Sequence, residues 1–72
     1  MNTKDLFKKE ILDANAEKLG HVIDIDFDLR KGVLNHLVMR TSVFKTQMIG
    51  LDSIDKIGDK IVLNITKNDL KQ

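Results

Sequence analysis

Three aspartates at alternate positions are the first residues of this chain whose type and spacing could do chemistry. Asp24, Asp26 and Asp28 follow the D-x-D-x-D pattern that opens a helix-loop-helix calcium site. Such a loop needs glycine at its sixth position and glutamate at its twelfth, but Leu29 and Asn35 stand there. Side chains two apart on a strand start about 6.6 Å apart, so three in a row do not converge on one cation. We therefore expect a solvated acidic stripe and no metal site.

The two histidines are the other candidates for chemistry. His21 or His36 could form a general-base pair with an aspartate. Neither has a serine nearby in the sequence, and without cysteine two histidines do not complete an ordinary structural zinc site. We expect His36 to be a packed or rim histidine with one hydrogen bond, with a role as pH sensor as the alternative. The sequence therefore predicts no enzyme, no catalytic residue and no cofactor.

The composition narrows the class of protein. Twelve Lys and Arg against eleven Asp and Glu in 72 residues argue against a dedicated nucleic-acid binder, which would be strongly basic. No apolar run reaches the roughly 18 residues of a membrane span, and the polar beginning lacks the apolar segment of a signal peptide. We expect one small cytoplasmic domain over residues 1–72, with its core at about 7–65 and a polar tail at 66–72.

The elements that must position these side chains centre on a long β-hairpin. Between Ile23 and Asp28 apolar residues alternate with aspartates, which is the period of a half-buried strand. A four-residue turn at 29–32 ends in Gly32, where a positive φ is needed. The hairpin is therefore predicted to run from Lys18 to Arg40.

The turn also predicts which face of the hairpin is buried. It places Ile25 opposite His36 and Phe27 opposite Leu34, and we assign this more apolar face to the core. The other face mixes the aspartates with apolar side chains that a lone small domain would leave exposed. These are Val22, Val33, Leu37 and Met39.

Shorter strands with close turn signals complete the predicted fold. We expect strands at 10–13, 47–49 and 60–65, a corner at 51–54, and a brief helix or fraying in the tail. Five or six short antiparallel strands in a chain of this length are typical of a small β-barrel or half-barrel. The predicted fold class is therefore all-β.

These segments, in this order, resemble the PRC-barrel family. The resemblance covers about residues 7–65 and consists of structural glycines, alternating apolar residues and turn acids. The family often has proline at the position of Gly50 and an aromatic residue at that of Leu51, so this corner is expected to be looser here. The matching segments are 9–13, 18–22, 24–28, 32–33, 49–54 and 57–63.

The resemblance implies a docking role. PRC-barrel proteins include a domain of the photosynthetic reaction centre H subunit, the C-terminal domain of a ribosome-maturation factor, and short stand-alone archaeal proteins, some linked to cell division. What these proteins share is docking onto another protein. The resemblance thus implies an adaptor and provides no catalytic residue to carry over.

Surplus apolar side chains lead to the same prediction from the residues alone. A contiguous exposed apolar patch usually marks an interface, so we expect a homodimer and a further protein partner. The alternative for each side chain is that it closes the barrel. A second reading is a small RNA- or DNA-binding barrel, although three Phe and scattered lysines offer few stacking platforms. The predicted interface comprises Val22, Leu37, Met39, Val43, Phe44 and Met48.

Overall fold

A computed structural model describes residues 2–70, and over this range the chain is built almost entirely of β-strands. The only α-helix among these residues is one turn long, and two short 3-10 helices follow later in the chain. The predicted all-β class is confirmed. In chain order the elements are α1 (Thr3–Leu6), β1 (Glu10–Leu12), β2 (Lys18–Asp28), β3 (Val33–Ser42), β4 (Lys45–Gly50), a first 3-10 helix (Leu51–Ser53), β5 (Ile54–Ile57), β6 (Ile61–Leu63) and a second 3-10 helix (Lys67–Leu70).

All six strands belong to one sheet, in the order β4-β3-β2-β1-β6-β5. Neighbouring strands are antiparallel except for β1 and β6, which run parallel, so the prediction of a wholly antiparallel sheet is wrong at this pair. Three antiparallel steps lead from β1 to β4, so β4 runs opposite to β1. β5 is antiparallel to β6 and therefore also runs opposite to β1. The first 3-10 helix thus connects the two edge strands of the sheet, β4 and β5, which both run opposite to β1.

The sheet buries its own core by curling. Five of the six strands contribute side chains with at most 1% exposure, although α1 has only four residues and cannot form a covering layer. One sheet can hide so many side chains on one face only if it bends around them. In the described residues β4 and β5 are not hydrogen-bonded to each other, so the sheet does not close into a complete barrel, and the first 3-10 helix connects its two edge strands. The core comprises Leu6, Ile11, Val22, Leu37, Met39, Ile49, Ile61 and Leu63.

The central hairpin has the predicted turn but a different register in its middle. Asp28 pairs with Val33, and Gly32 takes a φ of 67°. Between these ends the pairing slips by one residue and then returns, because Ile23 on β2 and Asn35 on β3 are each left without a direct partner. Two β-bulges, one on each strand, therefore compensate each other.

These bulges correct the predicted buried face. Each extra residue reverses which side chains point inward, so Val22 lies on the inner face before the bulge and Ile25 after it. On β3 the same reversal puts Leu34 and Leu37 on the inner face. Period-two reasoning without bulges assigned Ile25 and Leu37 to opposite faces, whereas they are paired neighbours.

Asp13 ties the turn after β1 to the end of the described chain. Its side chain is 1% exposed and accepts hydrogen bonds from the backbone N–H groups of Asn15 and Glu17 at 2.8 and 2.9 Å. Its other oxygen accepts from the N–H of Lys67 at 2.9 Å. Burial by itself raises the pKa of Asp13, but these three donors outweigh it and hold that pKa below its usual value.

The predicted polar tail is more ordered than expected. Residues 67–70 form the second 3-10 helix, and Leu70 packs against the core. Asp69 accepts hydrogen bonds from the backbone and hydroxyl of Thr66, as expected if Thr66 begins a brief helix. The core thus reaches beyond the predicted limits of 7 and 65, since Leu6 is buried as well. The remainder of the tail, residues 71–72, lies outside the described residues.

The corner after β4 is held by two hydrogen bonds from one residue, Asn64. Asn64 donates from Nδ2 to the carbonyl oxygen of Asp52 at 2.9 Å, and its backbone N–H donates to that of Ser53 at 2.9 Å. Both bonds join the first 3-10 helix to the end of β6. They secure a corner in which Gly50 and Leu51 replace the proline and aromatic residue of the resemblance.

A pair of leucines tests the assigned core. Leu37 is fully buried, whereas Leu29 in the hairpin turn is 86% exposed. We expect Leu37→Ala to lower the free energy of unfolding by about 2–5 kcal/mol and Leu29→Ala to change it by less than about 0.5 kcal/mol. Urea denaturation followed by circular dichroism measures both. Equal losses in the two variants would contradict this core.

A pair of glycines tests the closest backbone approach in the sheet. A Cβ added at Gly20 would lie 2.1 Å from the carbonyl oxygen of Arg40, whereas one added at Gly58 would meet nothing within 4 Å. We therefore expect Gly20→Ala to cost about 1–3 kcal/mol of stability, by overpacking. Gly58→Ala, whose φ is not positive, should be neutral or stabilise by about 0.4–1 kcal/mol. Wild-type stability in Gly20→Ala would show that the strands separate there at no cost.

Asp13→Asn tests the buried carboxylate through its pH dependence. Because the pKa of Asp13 is lowered on folding, its stabilisation is present above the unfolded value of about 3.9 and is lost as the pH falls through the folded value. We expect the variant to have a lower urea midpoint than wild type at pH 7 and the difference to shrink below about pH 4. Asp55→Asn, at an exposed position on β5, is the control and should show no such difference. A gap that stays constant with pH would contradict the charge-based account.

Candidate docking surface

The tip of the β3–β4 hairpin presents two apolar side chains to solvent. Ser42 pairs with Lys45, so Val43 and Phe44 alone form the turn, and they are 75% and 95% exposed. Two-residue hairpin turns favour glycine or asparagine with positive φ, and neither residue here has a positive φ. The turn conformation therefore does not explain why valine and phenylalanine stand at the tip.

The outer face of the same hairpin is also apolar. Met48 is 52% exposed and lies directly opposite the partly buried Val38 on β3. Val33, at the start of β3, is 45% exposed. Since β4 is an edge strand, this face borders a strand edge that no other strand covers within residues 2–70.

Three of the six residues predicted for the interface are wrongly placed there. Val22, Leu37 and Met39 are 0% exposed and form part of the core, because the two bulges turn them inward. A partner cannot reach them in the folded chain. Val43, Phe44 and Met48 are accessible, and an interface at these three residues stays a prediction.

Asp24 and Asp28 make local hydrogen bonds, and the three aspartates do not converge on one site. Asp28 accepts from the backbone N–H groups of Arg30 and Lys31 at 3.0 and 3.2 Å, which stabilises the hairpin turn. Asp24 accepts from the N–H of Ile25 at 2.8 Å. Within residues 2–70 no group of three or more His, Cys, Asp or Glu side chains is placed to hold a metal ion.

His36 and Asp26 form a half-exposed pair. Nδ1 of His36 lies 2.8 Å from Oδ2 of Asp26, and the two side chains are 42% and 44% exposed. The slipped register places them opposite each other, whereas the predicted one set His36 against Ile25. The single hydrogen bond expected for His36 is confirmed. The two histidines are not brought together, since His21 lies opposite Arg40 towards the other end of β2.

Two grooves of positive charge lie beside the tip end of the β3–β4 hairpin. The larger, of about 900 Å³, is lined in part by Lys18, Lys45 and Lys67. The smaller, of about 410 Å³, is lined in part by Lys18, His21 and Arg40. No Asp or Glu lines either groove. The near-zero net charge of the chain thus conceals a strongly uneven distribution.

A sequence signal for these grooves exists and was missed. Residues 29–51 contain no Asp or Glu at all, so every acid of the chain lies outside β3, β4 and their turn. The net charge of the whole chain does not show that acidic residues are missing from this segment. Lys18 and Lys67 come from segments distant in sequence, and only the fold brings them beside the hairpin.

Glu10 partly neutralises one of these lysines. Its two carboxylate oxygens lie 3.0 Å from the ammonium groups of Lys18 and Lys60. Hydrogen bonds from Lys18 and, to a smaller extent, from Lys60 hold the pKa of Glu10 below its usual value. Of the cations lining the grooves, Arg40, Lys45 and Lys67 make no ion pair with any other described residue.

A third groove is apolar and was predicted to be core. Ile25, Phe27 and Leu34 line it together with Leu6, and Phe27 remains 47% exposed. These side chains lie on the inner face of the sheet near the hairpin turn, where the neighbouring strands are too short to cover them. The predicted inward direction of Phe27 is right, but its full burial is not.

Over residues 2–70, no helix has the length and apolar composition needed to cross a bilayer.

Comparison with known proteins identifies the family. No curated protein matches this chain. The model of the PRC-barrel domain family matches residues 1–70 of the 72. Domains of this family are in general non-catalytic modules of protein interaction. The chain therefore belongs to the PRC-barrel family.

Proposed function

We propose that this chain is a non-enzymatic docking module that forms a homodimer through β4 and the hairpin tip. The observation that carries the proposal is Phe44, a phenylalanine with 95% of its surface in water at a turn that does not require it. Burying such a side chain in an interface contributes on the order of 1.5–3 kcal/mol. Val43 and Met48 extend the apolar surface along the same hairpin.

The two edges of the sheet differ in how well they resist pairing with another strand. β5 has four residues and carries Asp55 and Lys56, and charges on a short edge strand discourage association. β4 has six residues and only Lys45 is charged. Edge-to-edge pairing is therefore favoured at β4.

Charge is compatible with two-fold pairing of β4. In an antiparallel pair of identical strands, the beginning of one strand lies opposite the end of the other. Lys45 of each copy would thus approach Gly50 of its partner, with Asp52 shortly beyond, instead of meeting its own equivalent. Met48 of each copy would lie near the two-fold axis, where apolar contact is most fully shielded from water.

Family membership supports a second role as an adaptor. PRC-barrel domains dock onto other proteins, and a dimer would present two copies of every remaining surface. We propose that the chain is a cytoplasmic scaffold that joins an unidentified protein partner, in a setting such as cell division or ribosome maturation.

Sedimentation velocity tests the homodimer. We expect wild-type protein to sediment as a dimer at high micromolar concentration. The double variant Phe44→Glu with Met48→Glu should be monomeric and keep the wild-type circular dichroism spectrum, since both side chains are exposed. Leu29→Glu, which changes another exposed apolar residue in the β2–β3 turn, should remain dimeric.

Two results would overturn this proposal. A wild-type chain that stays monomeric throughout the concentration series has no such dimer. If the double variant unfolds, the two side chains belong to the structural core of the hairpin and not to an interface.

A further inference from the structure

We propose that the two cationic grooves form one cleft, and that this cleft binds an acidic segment of a partner protein. The grooves share Lys18, Leu19 and Thr41 in their linings, so they adjoin each other. The inference rests on the proposed docking role and names the chemistry of the partner. We call the combined surface the cationic cleft.

Charge is the first argument for an acidic ligand. Arg40, Lys45 and Lys67 line the cleft without an ion-pair partner among residues 2–70, and Lys18 shares its charge with Glu10. No Asp or Glu side chain of residues 2–70 lines the cleft. Its cations therefore repel one another and would be stabilised by carboxylates supplied from outside.

The floor of the cleft adds an apolar component. Leu19, Met39 and Leu70 line the larger groove between the lysines. Leu70 is held beside β4 because Nε2 of Gln47 donates to its carbonyl oxygen at 3.0 Å. A segment in which acidic and apolar residues alternate would satisfy both the charged walls and this floor.

The shape and lining of the cleft disfavour other anionic ligands. Single-stranded nucleic acids bind where aromatic side chains stack on bases, and none of the three phenylalanines lines either groove. A bilayer surface cannot enter a concave groove. A second copy of this chain carries the same cations, and its aspartate stripe lies within a paired strand that cannot be inserted as a free segment.

A labelled peptide provides the test. We expect fluorescein-labelled Leu-Asp-Leu-Asp-Leu-Asp to bind the wild-type chain, as measured by fluorescence anisotropy, and to bind less tightly as salt is added. The same peptide with Lys in place of Asp should not bind. Arg40→Glu should weaken binding about three- to tenfold, the size expected when one partly exposed attraction becomes a repulsion.

Lys31→Glu is the matched control. It makes the same change of charge at an exposed lysine in the β2–β3 turn, outside the cleft, and should leave peptide affinity unchanged. The thermal midpoint of each variant separates loss of binding from loss of folding.

Three outcomes would overturn the inference. The first is an equal loss of affinity in Arg40→Glu and Lys31→Glu, which would indicate a non-specific charge effect. The second is absence of peptide binding at low salt. The third is preferential binding of a poly-deoxythymidine strand or of phosphatidylserine vesicles over the peptide. Sedimentation of the same samples distinguishes failure of the cleft from failure of the docking module, because the dimer does not depend on the peptide.

Discussion

The structure depends on one constraint: a single sheet must cover its own apolar face. Only four of residues 2–70 lie in an α-helix, so this part of the chain has no second layer to pack against that face. The sheet therefore curls, and curling forces β2 and β3 so close that only glycine fits at position 20, opposite the carbonyl of Arg40. The corner after β4 and the buried Asp13 complete the closure, each by hydrogen bonds between segments far apart in sequence.

Curling also explains the bulges. A strongly bent pair of long strands accommodates its curvature by inserting extra residues, here Ile23 on β2 and Asn35 on β3. Each insertion exchanges the inner and outer faces beyond it. The inner face consequently gains Leu37 and Met39, and the outer face receives the pair of Asp26 and His36. In the sequence the aspartates and His36 suggested chemistry. In the structure they keep the outer face of the bent hairpin in contact with water and help to hold its two strands in register.

On the surface that remains exposed, the acidic residues are separated from the other charged residues of the β3–β4 hairpin. Every acidic residue lies outside the segment 29–51, so the β3–β4 hairpin carries no acidic side chain. Its tip places Phe44 in water, and next to the tip Arg40 and Lys45 contribute to a cleft that no Asp or Glu of residues 2–70 lines. Apolar contact and charge complementarity are both means by which a protein surface recognises a partner.

The sequence by itself determined the all-β class, the hairpin turn at 29–32 and the family, because these depend on local alternation, turn residues and order along the chain. Tertiary structure alone decided which face of the hairpin is buried, the parallel pairing of β1 with β6, and the meeting of Lys18 with Lys67. A bulge is invisible to a period-two pattern, since one inserted residue changes every face beyond it without changing composition. Contacts between distant segments likewise follow from the curvature of the whole sheet, which no local stretch encodes.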